Sequence, residues 1–285
     1  ERGLGQPGSG GAADGEAGAG ADPETARWEP AAGPPPLDAL SGRDAVIHLA
    51  GETIAQRWSA GARERIAGSR IEGTRNLVRG LAMLAREERP LVLVCASAIG
   101  YYGARDAEPL DEGAPPGEGF LARVCVEWER EAAEAEAAGV RAVQLRMGVV
   151  LDASAGALAE MLGPFRHGLG GPVGGGRQYV SWVHPDDVAG LALHAIARRD
   201  LSGPINATAP RPVTNAELAA ALAAALGRRA VLPIPALALR LRFGAMASLV
   251  TTGARVMPAK ALVSGYRFRH GELHEALGSV LSPIL

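Results

Sequence analysis

A chain of 285 residues that is 47% hydrophobic has enough apolar side chain to bury a substantial core, as one large α/β domain or two smaller ones. Its formal net charge of −2 gives no basic footprint for neutralising phosphates, which argues against nucleic acid as a partner. No apolar run reaches the roughly 20 residues that a membrane-crossing helix needs, so a membrane partner is not expected either.

Two cysteines, Cys95 and Cys125, are too few for a disulfide framework and lack metal-ligand spacing. A reducing, cytoplasmic compartment is expected. Organellar targeting stays open, because the chain starts at Glu1 rather than at a methionine and reads as a fragment.

Residues 1–36 are dominated by Gly, Ala, Pro, Glu and Asp, with one Leu and one Trp. So little apolar area cannot offset chain entropy, and a disordered leader is expected. The leader contains a G-x-G-x-x-G at Gly3, Gly5 and Gly8, but without the preceding strand and following helix that a dinucleotide turn needs it reads as low complexity.

From Leu37 onward strands and helices alternate. The apolar run from Asp44 to Gly51 reads as a buried parallel strand, followed by a helix from about Ser59 to Glu88 and a strand from Leu91 to Ser97. A helix from about Gly119 to Ala138 and a strand from Val140 to Val150 complete a β-α-β-α-β order, which predicts an α/β fold with a doubly wound parallel sheet.

Beyond Leu151 come a Gly-rich loop at Gly168–Gly176, a strand around Tyr179 to Val183 and a helix beginning near Asp186. A helix from Thr214 to Leu226 carries a capping box, Thr214 with Glu217. The C-terminal residues read as short helices and one strand packed as a lobe.

Ligands of open α/β sheets bind beyond the carboxyl ends of the strands. That singles out Leu49-Ala50-Gly51, where small side chains admit a cofactor or simply turn the chain, and Ser97, which can orient a substrate hydroxyl or carbonyl or merely satisfy a turn.

The blocks His48-Leu-Ala-Gly51-Glu52, Arg57-Trp58-Ser59, Ser69-Arg70-Ile71, Ala98-Ile-Gly-Tyr-Tyr-Gly103, Trp128-Glu129 and Leu145-Arg-Met-Gly-Val-Val-Leu151 follow one another in order. Pro164 to Gly171, Ser181 to Asp187, Asn206 to Pro210 and Arg255 to Pro258 continue the series. From about Trp28 to Leu281 the chain resembles the epimerase-like, atypical short-chain dehydrogenase/reductases.

The resemblance implies a Rossmann-like domain over residues 37–210 that binds NADP(H), with NAD as the alternative cofactor, and a smaller C-terminal substrate lobe over residues 211–285. Carried over residue by residue, Leu49, Ala50 and Gly51 border the nucleotide and Arg70 reaches its phosphates. Arg65 faces the nucleotide as well, although relatives can carry a carboxylate there. Read without the resemblance, Arg70 is a solvated charge on a helix face.

Two departures bear on mechanism. Superfamily members begin with a strand, a glycine-rich turn and a helix, and only the leader stands in that place. Losing two pyrophosphate contacts at about 1.5–3 kcal/mol each would weaken binding on the order of 10² to 10⁴-fold, so the chain as given is expected to be N-terminally incomplete or non-binding. Superfamily oxidoreductases also use a Tyr-x-x-x-Lys pair for proton transfer. Aligning on Glu129 puts Leu121 and Cys125 in those places, a gap that the atypical branch shares.

Ser97 and Tyr101 are the catalytic candidates that remain, with Tyr102 beside them, and Cys125 reads either as a nucleophile or, as expected, as a small core residue. His184 with Asp186 and Asp187 reads either as a proton relay or metal pair, or as a strand end followed by a helix start. The second is expected, and no metal with it. Arg146 is open between an anion holder and an ion-pair partner.

The expected activity is that of an epimerase-like oxidoreductase acting on a small-molecule substrate, sugar-nucleotide-like or another hydroxyl or carbonyl compound. The alternatives are a catalytically silent cofactor sensor or scaffold and a truncated, non-binding product. Oligomeric state is not legible.

Overall fold

The computed structural model describes residues 25–229 and 232–282. Gly3, Gly5 and Gly8 lie outside the described residues.

Four parallel strands form the main sheet: β1 (Ala45–His48), β2 (Val92–Ala98), β3 (Arg141–Met147) and β4 (Gly203–Ala207), hydrogen-bonded in the order β1-β2-β3-β4. The parallel α/β fold inferred from the alternating pattern is present. Side chains alternate between the faces of a strand, and here each face has its own core. Leu93, Cys95 and Ala142 meet α1 (Ala60–Met83) and α2 (Phe120–Ala133) through Leu77, Leu81, Trp128 and Ala132. On the other face, Val92, Val94, Val143 and Leu145 meet α4 (Pro185–Ala197) through Leu191 and Ala195. Burial on both faces explains why β2 and β3 read as nearly unbroken apolar runs.

β1 departs from its reading as a buried strand. It pairs with β2 alone among the described residues and is an outer strand, with Ile47 45% exposed. The leader reading also fails for residues 25–36. The Trp28 ring lies 5.8 Å from that of His48, Asn76 Nδ2 donates to the Pro30 carbonyl at 2.8 Å, and Pro35 packs where a Cβ on Gly80 would stand.

The long helices are shorter than expected. α1 is capped by the Ser59 hydroxyl, which accepts from the Ala62 N–H, and it ends at Met83 because Leu84 turns extended; a separate 3₁₀ turn covers Arg86–Glu88. α2 gives way to a 3₁₀ turn at Glu134–Ala138, which Gly139 closes with a φ of 77° that other residues disfavour.

A third core joins α3 (Gly156–Arg166), α5 (Asn215–Ala225) and α6 (Leu273–Leu281) through Leu158, Leu162, Leu218, Leu222 and Leu277, with Trp182 among them. The Thr214–Glu217 capping box that opens α5 is formed in both directions. The buried Asp187 carboxylate ties this part to the sheet: it accepts from the Tyr266 hydroxyl (2.9 Å) and from the Arg269 and His270 amides (2.8 and 3.0 Å).

Candidate functional site

Three buried polar residues stand in one row across the carboxyl ends of three strands. Ser97 of β2 is level with Arg146 of β3, which is level with Asn206 of β4. α2 brings Glu129 onto the row. Ser97 Oγ donates to Glu129 Oε1 at 2.6 Å, and Arg146 grips the same carboxylate with two bonds of 2.8 Å, from Nε and Nη2. Arg146 Nη1 donates to the Tyr102 hydroxyl at 2.9 Å, which donates to Asn206 Oδ1 at 2.6 Å.

The electrostatics follow from this packing. Burial opposes the Arg146 charge, but the Glu129 carboxylate outweighs it and holds the guanidinium protonated beyond its usual range. Burial pushes the Tyr102 phenol up to about 12, against the pull of Arg146, so Tyr102 works as a fixed donor. Tyr101 differs. The Arg146 guanidinium carbon lies 3.5 Å from its ring centroid, and its hydroxyl makes no hydrogen bond among the described residues. Together with Glu129 and Gln144 it lines a cleft of about 510 Å³.

The predicted cofactor residues gather at the end of β1. Leu49 is 61% exposed, and Gly51 is exposed beside it. Arg70 folds back from α1 to donate to the Glu52 carbonyl (2.9 Å) and the Ile66 carbonyl (3.2 Å), with its guanidinium 5.2 Å from the Trp128 ring. It is not the free helix-face charge of the plainer reading. A Cβ on residue 51 would lie 3.1 to 3.3 Å from three atoms of that guanidinium, so glycine is what lets the cation approach the turn. Burial draws the Arg70 pKa below its usual value. Arg65 stands at the surface of the same turn, its Nε 3.7 Å from Glu52 Oε1. Small residues and two guanidiniums around an open turn fit a phosphate-bearing nucleotide. α2 joins the two groups, since Trp128 lies under Arg70 and its neighbour Glu129 holds Arg146.

The remaining candidates take structural places. Leu121 and Cys125 pack beside Gly100, and burial pushes the Cys125 thiol up to about 12, which removes it as a nucleophile. Arg146 is settled as an ion-pair partner. His184 ends a strand and caps α4, its Nδ1 accepting from the Asp186 N–H at 3.1 Å. Sequence reasoning missed Glu129 and Asn206 as members of the cluster; for Asn206 the available signal was a polar residue one place from the carboxyl end of its strand, as at Ser97 and Arg146, and for Glu129, on α2, there was none of that kind.

Comparison with known proteins decides the lineage. The NAD dependent epimerase/dehydratase family model matches residues 37–207. The chain belongs to that family.

This epimerase-family protein also matches a domain of unknown function (DUF1731) over residues 234–280. It is 40% identical over 242 residues to an Arabidopsis thaliana protein, "Epimerase family protein SDR39U1 homolog, chloroplastic", covering 85% of this chain and 70% of that protein. It is likewise 40% identical over 260 residues to a Mycobacterium tuberculosis epimerase family protein, covering 90% and 85%. A crystal structure of human epimerase family protein SDR39U1 (isoform 2) with NADPH superimposes with a TM-score of 0.80 at 34% identity, covering 87% of this chain and 86% of that one. Among the described residues, no helix of this epimerase-family protein is long and apolar enough to cross a membrane.

Proposed function

We propose that this epimerase-family protein binds NADP(H) along the carboxyl edge of its sheet and acts as an epimerase-like oxidoreductase on a small hydroxyl- or carbonyl-bearing substrate of the sugar-nucleotide type. The observation that carries the reading is the Ser97–Glu129–Arg146 cluster beneath Tyr101, a phenol at a cleft with no hydrogen bond among the described residues.

Leu49, Ala50 and Gly51 would border the nucleotide, and Arg70 with Arg65 would face its phosphates; the NADPH in the human relative's structure supports the choice of cofactor. Bound NADP(H) would supply or accept the hydride. The Ser97 proton is committed to Glu129, so its lone pairs would orient a substrate hydroxyl. Tyr101 would hold the proton at the substrate oxygen, with the Arg146 cation under its ring where negative charge develops. Residues 37–210 would carry the cofactor and residues 211–285 the substrate side, in a cytoplasmic protein with no nucleic acid partner.

The test is NADPH titration by calorimetry or nicotinamide fluorescence, followed by assays for NADPH oxidation and epimerisation over carbonyl compounds and nucleotide sugars. Saturable binding and a turnover that Tyr101→Phe abolishes are expected. A second reading rests on Leu121 and Cys125, which fill the place of the tyrosine–lysine pair with hydrocarbon and a buried thiol. It is a silent cofactor sensor, and it predicts NADPH binding with no turnover on any substrate. Failure to bind NADPH at all would overturn both.

A further inference from the structure

Three metal-ligating side chains converge where α4 begins and the C-terminal segment docks. Asp186 Oδ2 lies 3.4 Å from His270 Nε2 and 3.8 Å from His184 Nδ1, and one ligand atom from each of the three residues lies within 4.8 Å of the others. The two imidazoles are stacked, with ring centroids 3.7 Å apart and planes 24° from parallel. The His184 ring is 4% exposed, and its Nε2 is sealed from solvent with no hydrogen-bond partner among the described residues. His184 Nδ1 accepts from the Asp186 amide, whereas no hydrogen bond among the described residues fixes the His270 ring.

We propose that His184, Asp186 and His270 form a site for a divalent transition-metal ion of the zinc type, held by two imidazoles and one carboxylate with a position left open to water. Bonds of about 2.0–2.1 Å in tetrahedral geometry put ligand atoms about 3.3 Å apart, and the Asp186–His270 pair already has nearly that separation. The His184 ring is the fixed wall. The Asp186 and His270 side chains, 54% and 20% exposed, are the two that swing inward.

Binding at Nδ1 gives up one hydrogen bond, the 3.1 Å contact from the Asp186 amide. The positive end of the α4 dipole opposes a cation, and Asp186 and Asp187 in the first turn offset it. The ion would clip the segment carrying His270 onto the start of α4, beside the bonds that Asp187 already makes to it.

The test is titration of the chelator-treated full chain with ZnCl₂ by calorimetry, and with CoCl₂ read by its visible absorption, which reports a four-coordinate ion. One equivalent should bind saturably, with affinity falling as protons compete at lower pH. His270→Phe keeps the stacked ring and Asp186→Asn keeps a polar first turn, yet each should weaken binding on the order of 10-fold or more. His274→Ala, at an exposed histidine nearby in sequence, should leave it unchanged. No saturable binding, or binding that survives both substitutions, overturns the proposal. Should one variant fail to fold by circular dichroism, the other decides.

Discussion

Glu129 and Arg146 are nearly sealed from water, with side chains 12% and 3% exposed, so each is tolerable only because the other is present. Glu129→Gln should leave the guanidinium short of its counter-charge and cost about 3–5 kcal/mol, read as a fall in the urea midpoint at constant slope. His48 offers a test by pH. Its Nε2 meets Thr74 Oγ1, which also accepts from the Trp128 indole, and burial lowers its pKa from 6.5 to about 4. The unfolded chain therefore takes up a proton before the native one does, and stability falls as pH drops from 6.5 to about 4. The whole effect is about 3 kcal/mol by linkage, and His48→Asn should flatten that part of the stability profile. At this scale the sequence shows residue types but not their neighbours. Ser97, Arg146 and Asn206 are each visible as polar residues at strand ends, whereas their alignment in one row is a property of register. Glu129 joins them only because α2 packs over that row.

Among the elements, α4 and the segment that leads into α6 are joined by a buried carboxylate with three donors. Asp187→Asn would turn an amide NH₂ toward at least one of those donors and should cost about 2–4 kcal/mol in chemical denaturation, with faster amide exchange at Arg269 and His270. The capping box of α5 was legible because its signal is local, two residues at fixed spacing. β1 shows the opposite case. Its apolar run reads like that of β2, and nothing within it tells whether a strand will have neighbours on one side or on both. The packing of residues 25–36 was hidden for a related reason. Composition averages away a single Trp and a few prolines, yet Trp28, Pro30 and Pro35 each find a place on α1 or β1. Helix ends were overrun because helical periodicity continues through the 3₁₀ turns that follow α1 and α2.

For the whole molecule, alternation of strands and helices was enough to foresee the parallel sheet, and the relatives place it in an epimerase family. Stability across that sheet should be uneven. β2 and β3 are paired on both sides and buried on both faces, so their amides should be the last to exchange with deuterium, well behind those of β1, whose Ile47 is half open to water. On the cofactor side, Arg70→Ala removes a cation held against Gly51 and should weaken NADPH binding about 10- to 100-fold in a fluorescence titration, while Arg65→Ala, at the exposed rim, should matter less.

The cores also set an order of events during synthesis. Leu273, Ala276, Leu277 and Leu281 close the core that α3 and α5 begin, and the α4 face of the sheet borrows Ala261, Tyr266 and Phe268. A nascent chain that has made every strand of the sheet therefore still lacks part of the cover over α3, α5 and the α4 side of the sheet until the last described helix has left the ribosome. Apolar surface left open over that interval exposes the chain to aggregation before its cores are closed.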